Sequence, residues 1–393
     1  MRRPKKGFST RSVHGGELRD KPFSSVTNPI VQTSTYAFKN TQELIEYTTG
    51  KVNREEYGRY GNPTKTVAEH KIAELEGGED AALFSSGMSA FTSVLLAILS
   101  SGSHVIVMDE CYRRSAQFCK QTLPRYNINV TFVETGNYNQ LESAITDSTR
   151  LIVSESPTNP FLNVIDLKKV TDIAARHRVK VLIDGTFATP YNQQPLDFGI
   201  DLVLHSATKY LGGHNDLLSG VVVGNASLIS AIREFRDITG GIVDPHVAYL
   251  LIRGLKTFAI RMEKHNTNAL AVARFLAEHP RIRKTYYPGL ENHASYKTAS
   301  SQMSGYGGVV SFEVDGDMET TIRFIDALQI PYIAPSLGGV ESLIEQPAIM
   351  SYYEMAAADR FQIGIKDELV RFSVGIENVD DLIADLEQAL GKI

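Results

Sequence analysis

The 393-residue chain has no tryptophan and only two cysteines, Cys111 and Cys119. Their spacing matches no zinc knuckle, and usage this sparse fits a reducing compartment. Each is expected to be a small buried hydrophobe rather than a reactive thiol. Long apolar runs are missing too. The longest, SVLLAIL at 93–99, is too short to span a bilayer. The first residues, MRRPKKGFST, are basic but lack the apolar stretch of a signal peptide. A cytoplasmic protein with no membrane partner is therefore expected. Charge of one sign is not in large excess: 40 Lys and Arg stand against 45 Asp and Glu, and they are interspersed. Without a basic stripe, nucleic acid is not an expected partner. The ten histidines are scattered, and although His205 and His214 flank Lys209, no HExxH or close His/carboxylate cluster occurs. No metal site is expected.

What is present is an ordinary globular composition, 42% hydrophobic and 22% charged. At this length one large domain plus a smaller one is the default. Residues 1–60 are rich in Ser, Thr, Asn and Tyr with little periodicity, and read as an extended arm with short helical pieces, contacting a partner subunit. A helix is expected over 62–78, with Asn62 as cap, Pro63 in the first turn and Gly77 and Gly78 as the stop. Strands are then expected at 81–86, 104–109, 150–156, 179–184, 201–206 and 219–224, with helices at 87–99, 112–123 and 166–177. Short apolar runs between helices indicate an α/β domain, 61–250, with a mainly parallel central sheet covered on both faces. Beyond 250 the pattern changes to a long helical stretch, 247–279, then GYGGVVSFEV, a helix at 318–328, LVRFSVGIE and a final helix at 379–390. This reads as a smaller C-terminal α+β domain, 251–393, with an antiparallel sheet.

In such sheets ligands collect beyond the carboxyl ends of the strands. That placement gathers Gly87, Tyr112, Glu155, Asn159, Asp184, Ser206 and Lys209 around one mouth. Lys209, in HSATKYLGGHND, follows a buried strand. A buried ammonium is costly unless paired or neutralised. One reading is a lysine that snorkels to the surface; the sharper one is an amine that forms a Schiff base with a carbonyl cofactor. Asp184, in VLIDGTFATP, either caps a loop or keeps the ring nitrogen of a pyridine cofactor protonated. Lysine with aspartate is the minimal requirement of pyridoxal 5′-phosphate chemistry. SSGMSAF joins a strand to a helix, so Gly87 and Met88 offer free amides to an anion, with Ser206 and Thr208 adding hydroxyls. EYGRYGNPT supplies Tyr57 and Arg59, suited to phosphate oxygens, with Tyr60 beside them. Tyr112 is placed to stack on a flat ring or to pack in the core. Asn159, in ESPTNP, lies within reach of a cofactor ring oxygen. Arg371, in LVRFSVGIE, would hold a substrate carboxylate with two hydrogen bonds; the plainer alternative is a surface salt bridge.

Together SATKYLGGHND, YGRYGNPT, SSGMSA, ESPTNP, IDGTFATP and SLGGVES resemble the cysteine/methionine-metabolism group of pyridoxal-phosphate enzymes, collinearly from about residue 10 to 390. The resemblance implies an aspartate-aminotransferase-like fold (fold type I) and a homotetramer built as a dimer of dimers, acting on small amino acids. It makes Lys209 the cofactor-bound lysine, Asp184 the partner of the ring nitrogen and Tyr112 the stacking ring. Gly87, Met88, Ser206 and Thr208 become phosphate ligands, joined by Tyr57 and Arg59 from the partner subunit. Asn159 would contact the ring hydroxyl. Arg371 and Ser336 would hold the substrate carboxylate, with Tyr60 also on the substrate side. Glu341, in GGVES, is expected near the substrate's amino end. Within the group, DECYRRS, ESPTNPFLNVID and QIPYIAPSLGGVESLIEQPAIMSYYE lean toward the plant-type synthases of cystathionine, which join cysteine to a phospho-, acetyl- or succinyl-activated homoserine. A γ-lyase forming 2-oxobutyrate is the nearest alternative. Arg113 and Arg114, directly after Tyr112, would neutralise a phosphate leaving group or simply form a solvated helix start.

Overall fold

The computed structural model describes residues 6–393. Seven strands form the larger sheet: β1 (Asp80–Phe84), β2 (His104–Met108), β3 (Asn129–Val133), β4 (Thr149–Glu155), β5 (Lys180–Asp184), β6 (Leu202–His205) and β7 (Gly220–Gly224). Their order is β1-β7-β6-β5-β4-β2-β3. β2 to β6 run parallel, while β7 lies antiparallel to both β1 and β6. Alternate residues face opposite sides. Val105 and Val107 pack with Phe91 and Ile232 on one face, and Ile106 and Met108 pack with Leu167 and Val170 on the other. Burial on both faces explains why these strands read as continuous apolar runs rather than as alternating ones.

The chain crosses from one side of β2 to the other between β3 and β4, a topological switch that opens a crevice at the strands' carboxyl ends. The smaller sheet holds β8 (Ile282–Tyr286), β9 (Val309–Val314), β10 (Tyr332–Ile333), β11 (Leu343–Glu345) and β12 (Leu369–Ser373) in the order β10-β11-β12-β9-β8. It is antiparallel except for the short β10–β11 pair. Among the described residues no helix is long and apolar enough to cross a membrane.

Several elements depart from the sequence reading. The stretch 247–279 is two helices, Pro245–Lys256 and Phe258–Glu278, meeting at Thr257. The break is held by Arg261, which donates to the Gly254 carbonyl (2.8 Å) and the Tyr210 carbonyl (2.7 Å). The segment expected as one helix over 112–123 is a short helix, Arg113–Gln117, a π-turn, Phe118–Thr122, and a 3₁₀ turn with Pro124. Proline lacks the amide that would continue the regular ladder. The edge strand β3 and the helix Ala226–Thr239 carried too weak a pattern to be read.

Residues 1–5 of the arm lie outside the described residues. It carries short helices, Phe8–His14 and Thr41–Thr48, and the first is docked on the larger domain. Ser12 is buried and donates to the Leu255 carbonyl; Lys71 donates to the carbonyls of Ser12 (3.2 Å) and Val13 (3.0 Å). Glu17 then receives both Lys71 (3.1 Å) and Lys256 (3.2 Å). These long-range pairings left no local periodicity to read. Farther along, Phe23 and Val26 are 94% and 87% exposed.

Candidate active site

A cavity of about 560 Å³ opens at the carboxyl ends of the larger sheet, closed on its far side by the smaller sheet. β6 ends in His205, and the chain then turns tightly: Lys209 N–H donates to the Ser206 carbonyl (3.1 Å), and Gly213 N–H to the Lys209 carbonyl (2.7 Å). This turn aims the Lys209 amine into the cavity, where it donates to Ser336 Oγ at 2.5 Å. Ser336 adopts φ 96°, a conformation that strains any residue with a side chain. Its place is held by its neighbours, because Gly338 (φ 78°) abuts Tyr210 so closely that a Cβ there would lie 2.7 Å from the Tyr210 nitrogen.

Lys209 has no ion-pair partner among the described residues. Burial, reinforced by the positive charge of Arg371, lowers its pKa to about 8, against a smaller opposing effect of Glu345. Asp184, at the end of β5, accepts Thr186 N–H (3.0 Å) and the Thr186 hydroxyl (2.5 Å). Burial raises its pKa, opposed by those hydrogen bonds and by His205. Across the ladder Asp184 pairs in register with Glu155 on β4. Glu155 is also pushed well up, by burial first and then by Asp184. It accepts the Tyr112 N–H (2.8 Å), which fixes the start of the segment carrying Tyr112, Arg113 and Arg114. The Tyr112 ring is 46% exposed on the cavity wall and is not a core side chain.

The helix Gly87–Ile98 begins at this mouth. Ser86 caps Ser89 N–H (3.0 Å), which leaves the first two helical amides, Gly87 and Met88, without intrahelical acceptors. A Cβ on Gly87 would sit 3.0 Å from Ser206 Cβ, so glycine lets the helix end approach the β6 turn. The Thr208 hydroxyl is already bonded to Ser219, donating to its carbonyl (3.2 Å) and accepting its N–H (3.0 Å).

Arg371 forms a buried pair, not a surface one. β12 aligns it with Glu345 on β11, and Nη1 lies 3.1 Å from Glu345 Oε1. Nη1 also donates to Asn159 Oδ1 (3.3 Å) and Nη2 to the Ser336 carbonyl (2.9 Å). Its buried Nε has no partner among the described residues, nor has Glu345 Oε2. One donor and one acceptor are thus left over for a ligand.

Of the residues expected from sequence, Tyr112, Arg113, Arg114, Ser336 and Arg371 line the cavity together with Gly87, Met88, Asn159, Asp184, Ser206, Thr208 and Lys209. Glu341 does not. It is exposed and accepts from Asn215 Nδ2 (2.7 Å). The acid inside is Glu345, four residues on, because β11 begins at Leu343 and its pairing turns Glu345 toward Arg371. Tyr57, Arg59 and Tyr60 also lie outside the cavity of their own chain; Arg59 donates to the Asp237 carbonyl and stacks on both tyrosines. Tyr352, Met350 and Ser351 also line the cavity from the smaller domain. They lie in the stretch QIPYIAPSLGGVESLIEQPAIMSYYE, which carries the resemblance, but no residue type in it singles them out as site residues.

Residues 9–391 match the model of the Cys/Met metabolism PLP-dependent enzymes. The chain belongs to that family. It is 48% identical over 385 residues to cystathionine gamma-synthase 1 of Arabidopsis thaliana, which covers 97% of this chain and 68% of that protein. It is 42% identical over 396 residues to L-methionine gamma-lyase of Fusobacterium nucleatum, covering all of both. The structure of cystathionine gamma-lyase from Lactobacillus plantarum in complex with L-serine superimposes with a TM-score of 0.92, at 39% identity and 99% coverage of both chains.

The family's cofactor is pyridoxal 5′-phosphate, and the donor set of the cavity suits it. The cavity holds a buried amine, Lys209, and a buried carboxylate, Asp184, neither of which has an ion-pair partner among the described residues. A basic ring nitrogen and an aldehyde answer both. Two free amides at a helix end and the Ser206 hydroxyl answer a phosphate. If Lys209 is the amine that captures the cofactor, as the sequence leads one to expect, its neutral fraction would set the rate of capture. Reconstitution of the apoprotein is expected to accelerate about tenfold per pH unit below 8 and to level off above it, since only the unprotonated amine attacks an aldehyde. Following cofactor absorbance after mixing at several pH values checks this; a rate that keeps rising to pH 10 would contradict it. The two cysteines play no part in such chemistry: both are buried, and burial pushes the Cys119 thiol up to about 12.

Proposed function

We propose that this protein catalyses a γ-replacement, joining the thiol of L-cysteine to an activated homoserine to give L-cystathionine. The observation that carries the reading is the pair Arg113 and Arg114 on the cavity wall directly beside Tyr112. Arg114, bonded among the described residues only to the neutral Gln117, and Arg113, paired with Glu354, place guanidinium groups where a leaving group on the substrate's γ-carbon would lie, and guanidinium matches a phosphate ester best. The higher identity to plant synthases than to the lyases supports the same reading.

When bound, pyridoxal 5′-phosphate supplies an electron-accepting ring that stabilises negative charge at the substrate's Cα. Asp184 would hold the ring nitrogen's proton. Tyr112 would cover one ring face, Asn159 would contact the ring hydroxyl, and Gly87, Met88, Ser206 and Thr208 would hold the phosphate. Tyr57 and Arg59, outside their own chain's cavity, would serve a neighbouring subunit's site in a homotetramer. Lys209, poised near neutrality, removes the Cα proton and returns it to the chain of the substrate; Ser336 fixes the position of its amine. Arg371 would orient the substrate carboxylate. Arg113 and Arg114 would balance the charge of the departing group, and Tyr112 would deprotonate the incoming thiol. A γ-lyase uses the same residues and differs in letting water, not cysteine, finish the reaction.

The test offers the holoenzyme O-phosphohomoserine with and without cysteine and quantifies cystathionine and 2-oxobutyrate. Cystathionine is expected to dominate when cysteine is present. Dominant 2-oxobutyrate with cysteine present, together with breakdown of added cystathionine, would identify a γ-lyase instead. Product only from the acetyl or succinyl ester would remove the phosphate assignment.

A further inference from the structure

Arg113 is not free to meet a ligand. Its Nη1 lies 2.8 Å from Glu354 Oε2, and the two residues are 241 positions apart. Arg113 belongs to the larger domain. Glu354 belongs to the segment after β11 whose Met350, Ser351 and Tyr352 line the cavity. The ion pair therefore ties that segment to the rim of the cavity. Glu354 is also held by the Tyr353 hydroxyl (3.1 Å), and its side chain is 52% exposed against 25% for Arg113. Arg114 bonds only to a neutral group, Gln117 Oε1 (2.6 Å).

We propose that Glu354 is an internal anion that occupies Arg113 until the substrate's anionic leaving group displaces it. This rests on the phosphate reading above and adds the group that competes with it. The exchange is physically cheap in one direction. A half-exposed carboxylate pair contributes little. A phosphate ester brings a charge of roughly −1.5 to −2 and three acceptor oxygens to two adjacent guanidiniums. Displacement frees the Arg113 guanidinium while the cavity wall keeps its own bonds, Tyr352 N–H to the Pro347 carbonyl (2.9 Å) and the Ser351 hydroxyl to Glu345 Oε1 (3.2 Å). Once the freed anion leaves, Glu354 retakes Arg113, which favours its expulsion before the thiol enters. An acetyl ester carries no charge and leaves the Glu354–Arg113 pair in place.

The test is binding of inorganic phosphate to the holoenzyme, in which the cofactor fills its own phosphate site. Glu354→Gln is expected to tighten phosphate binding about two- to fivefold, the size of an exposed ion pair. Its KM for O-phosphohomoserine should fall in parallel, and that for O-acetylhomoserine should move less. In Arg113→Gln phosphate binding weakens, and adding Glu354→Gln to it brings no recovery. Unchanged or weaker phosphate binding in Glu354→Gln overturns the inference, as does an equal shift for the acetyl ester. The binding experiment needs no turnover. If no activated homoserine yields cystathionine, the synthase reading fails while the phosphate shift still decides this one.

Discussion

Lys209→Ala is expected to lower turnover by about three orders of magnitude or more while leaving a folded protein that binds the cofactor weakly. The size follows from the double role proposed for it, attachment point and base for the Cα proton. Weak binding should survive because the other contacts proposed for the cofactor, from the Gly87 and Met88 amides, Ser206 and Asp184, do not involve the amine. The change also removes a buried cation beside Arg371, so the fold itself should not suffer. Turnover measured alongside cofactor retention after gel filtration separates the two effects. Full activity in this variant would eliminate Lys209 as the reactive amine. Complete loss of cofactor affinity would mean that the phosphate cradle at the helix start is weaker than its geometry implies.

Arg371→Leu is expected to lose about 3–5 kcal/mol of stability, because the Glu345 side chain, 2% exposed, would be left without its ion-pair partner. The same substitution removes the group proposed to hold the substrate carboxylate and should cost about ten- to a hundredfold in kcat/KM. The two losses are separable. Arg371→Leu combined with Glu345→Leu removes the orphaned carboxyl group and should recover most of the stability, but none of the activity. Denaturant midpoints and steady-state kinetics on the single and double variants read both quantities. If the double variant is no more stable than the single one, the pair is not desolvated as its burial indicates.

Much of the site was legible in linear order. A parallel sheet needs apolar runs between helices, and its active residues follow strand ends, so Asp184 and Lys209 could be placed from strand boundaries alone. Gly87 could be placed because a strand-to-helix junction leaves free amides. The stretch 247–279 is helical as its pattern suggests, but its division into two helices at Thr257 depends on contacts the pattern does not record, those of Arg261 with the Gly254 and Tyr210 carbonyls. Glu341 lies outside the cavity of its own chain and Glu345 inside it; which of two acids four residues apart turns inward depends on where β11 begins.

The sequence by itself determined the α/β class, the family, the cofactor and the residues at the ends of the central strands, since those properties are local in the chain or carried by contiguous motifs. Tertiary structure decided what meets across the cavity: Glu345 rather than Glu341 beside Arg371, Ser336 beneath the Lys209 amine, Glu155 beneath Tyr112, and Glu354 on Arg113. The physical reason is the same in each case. These partners come from distant segments, and the pairing of β11 with β12 and the packing of one sheet over the other set which side chains face inward. No local pattern records that choice.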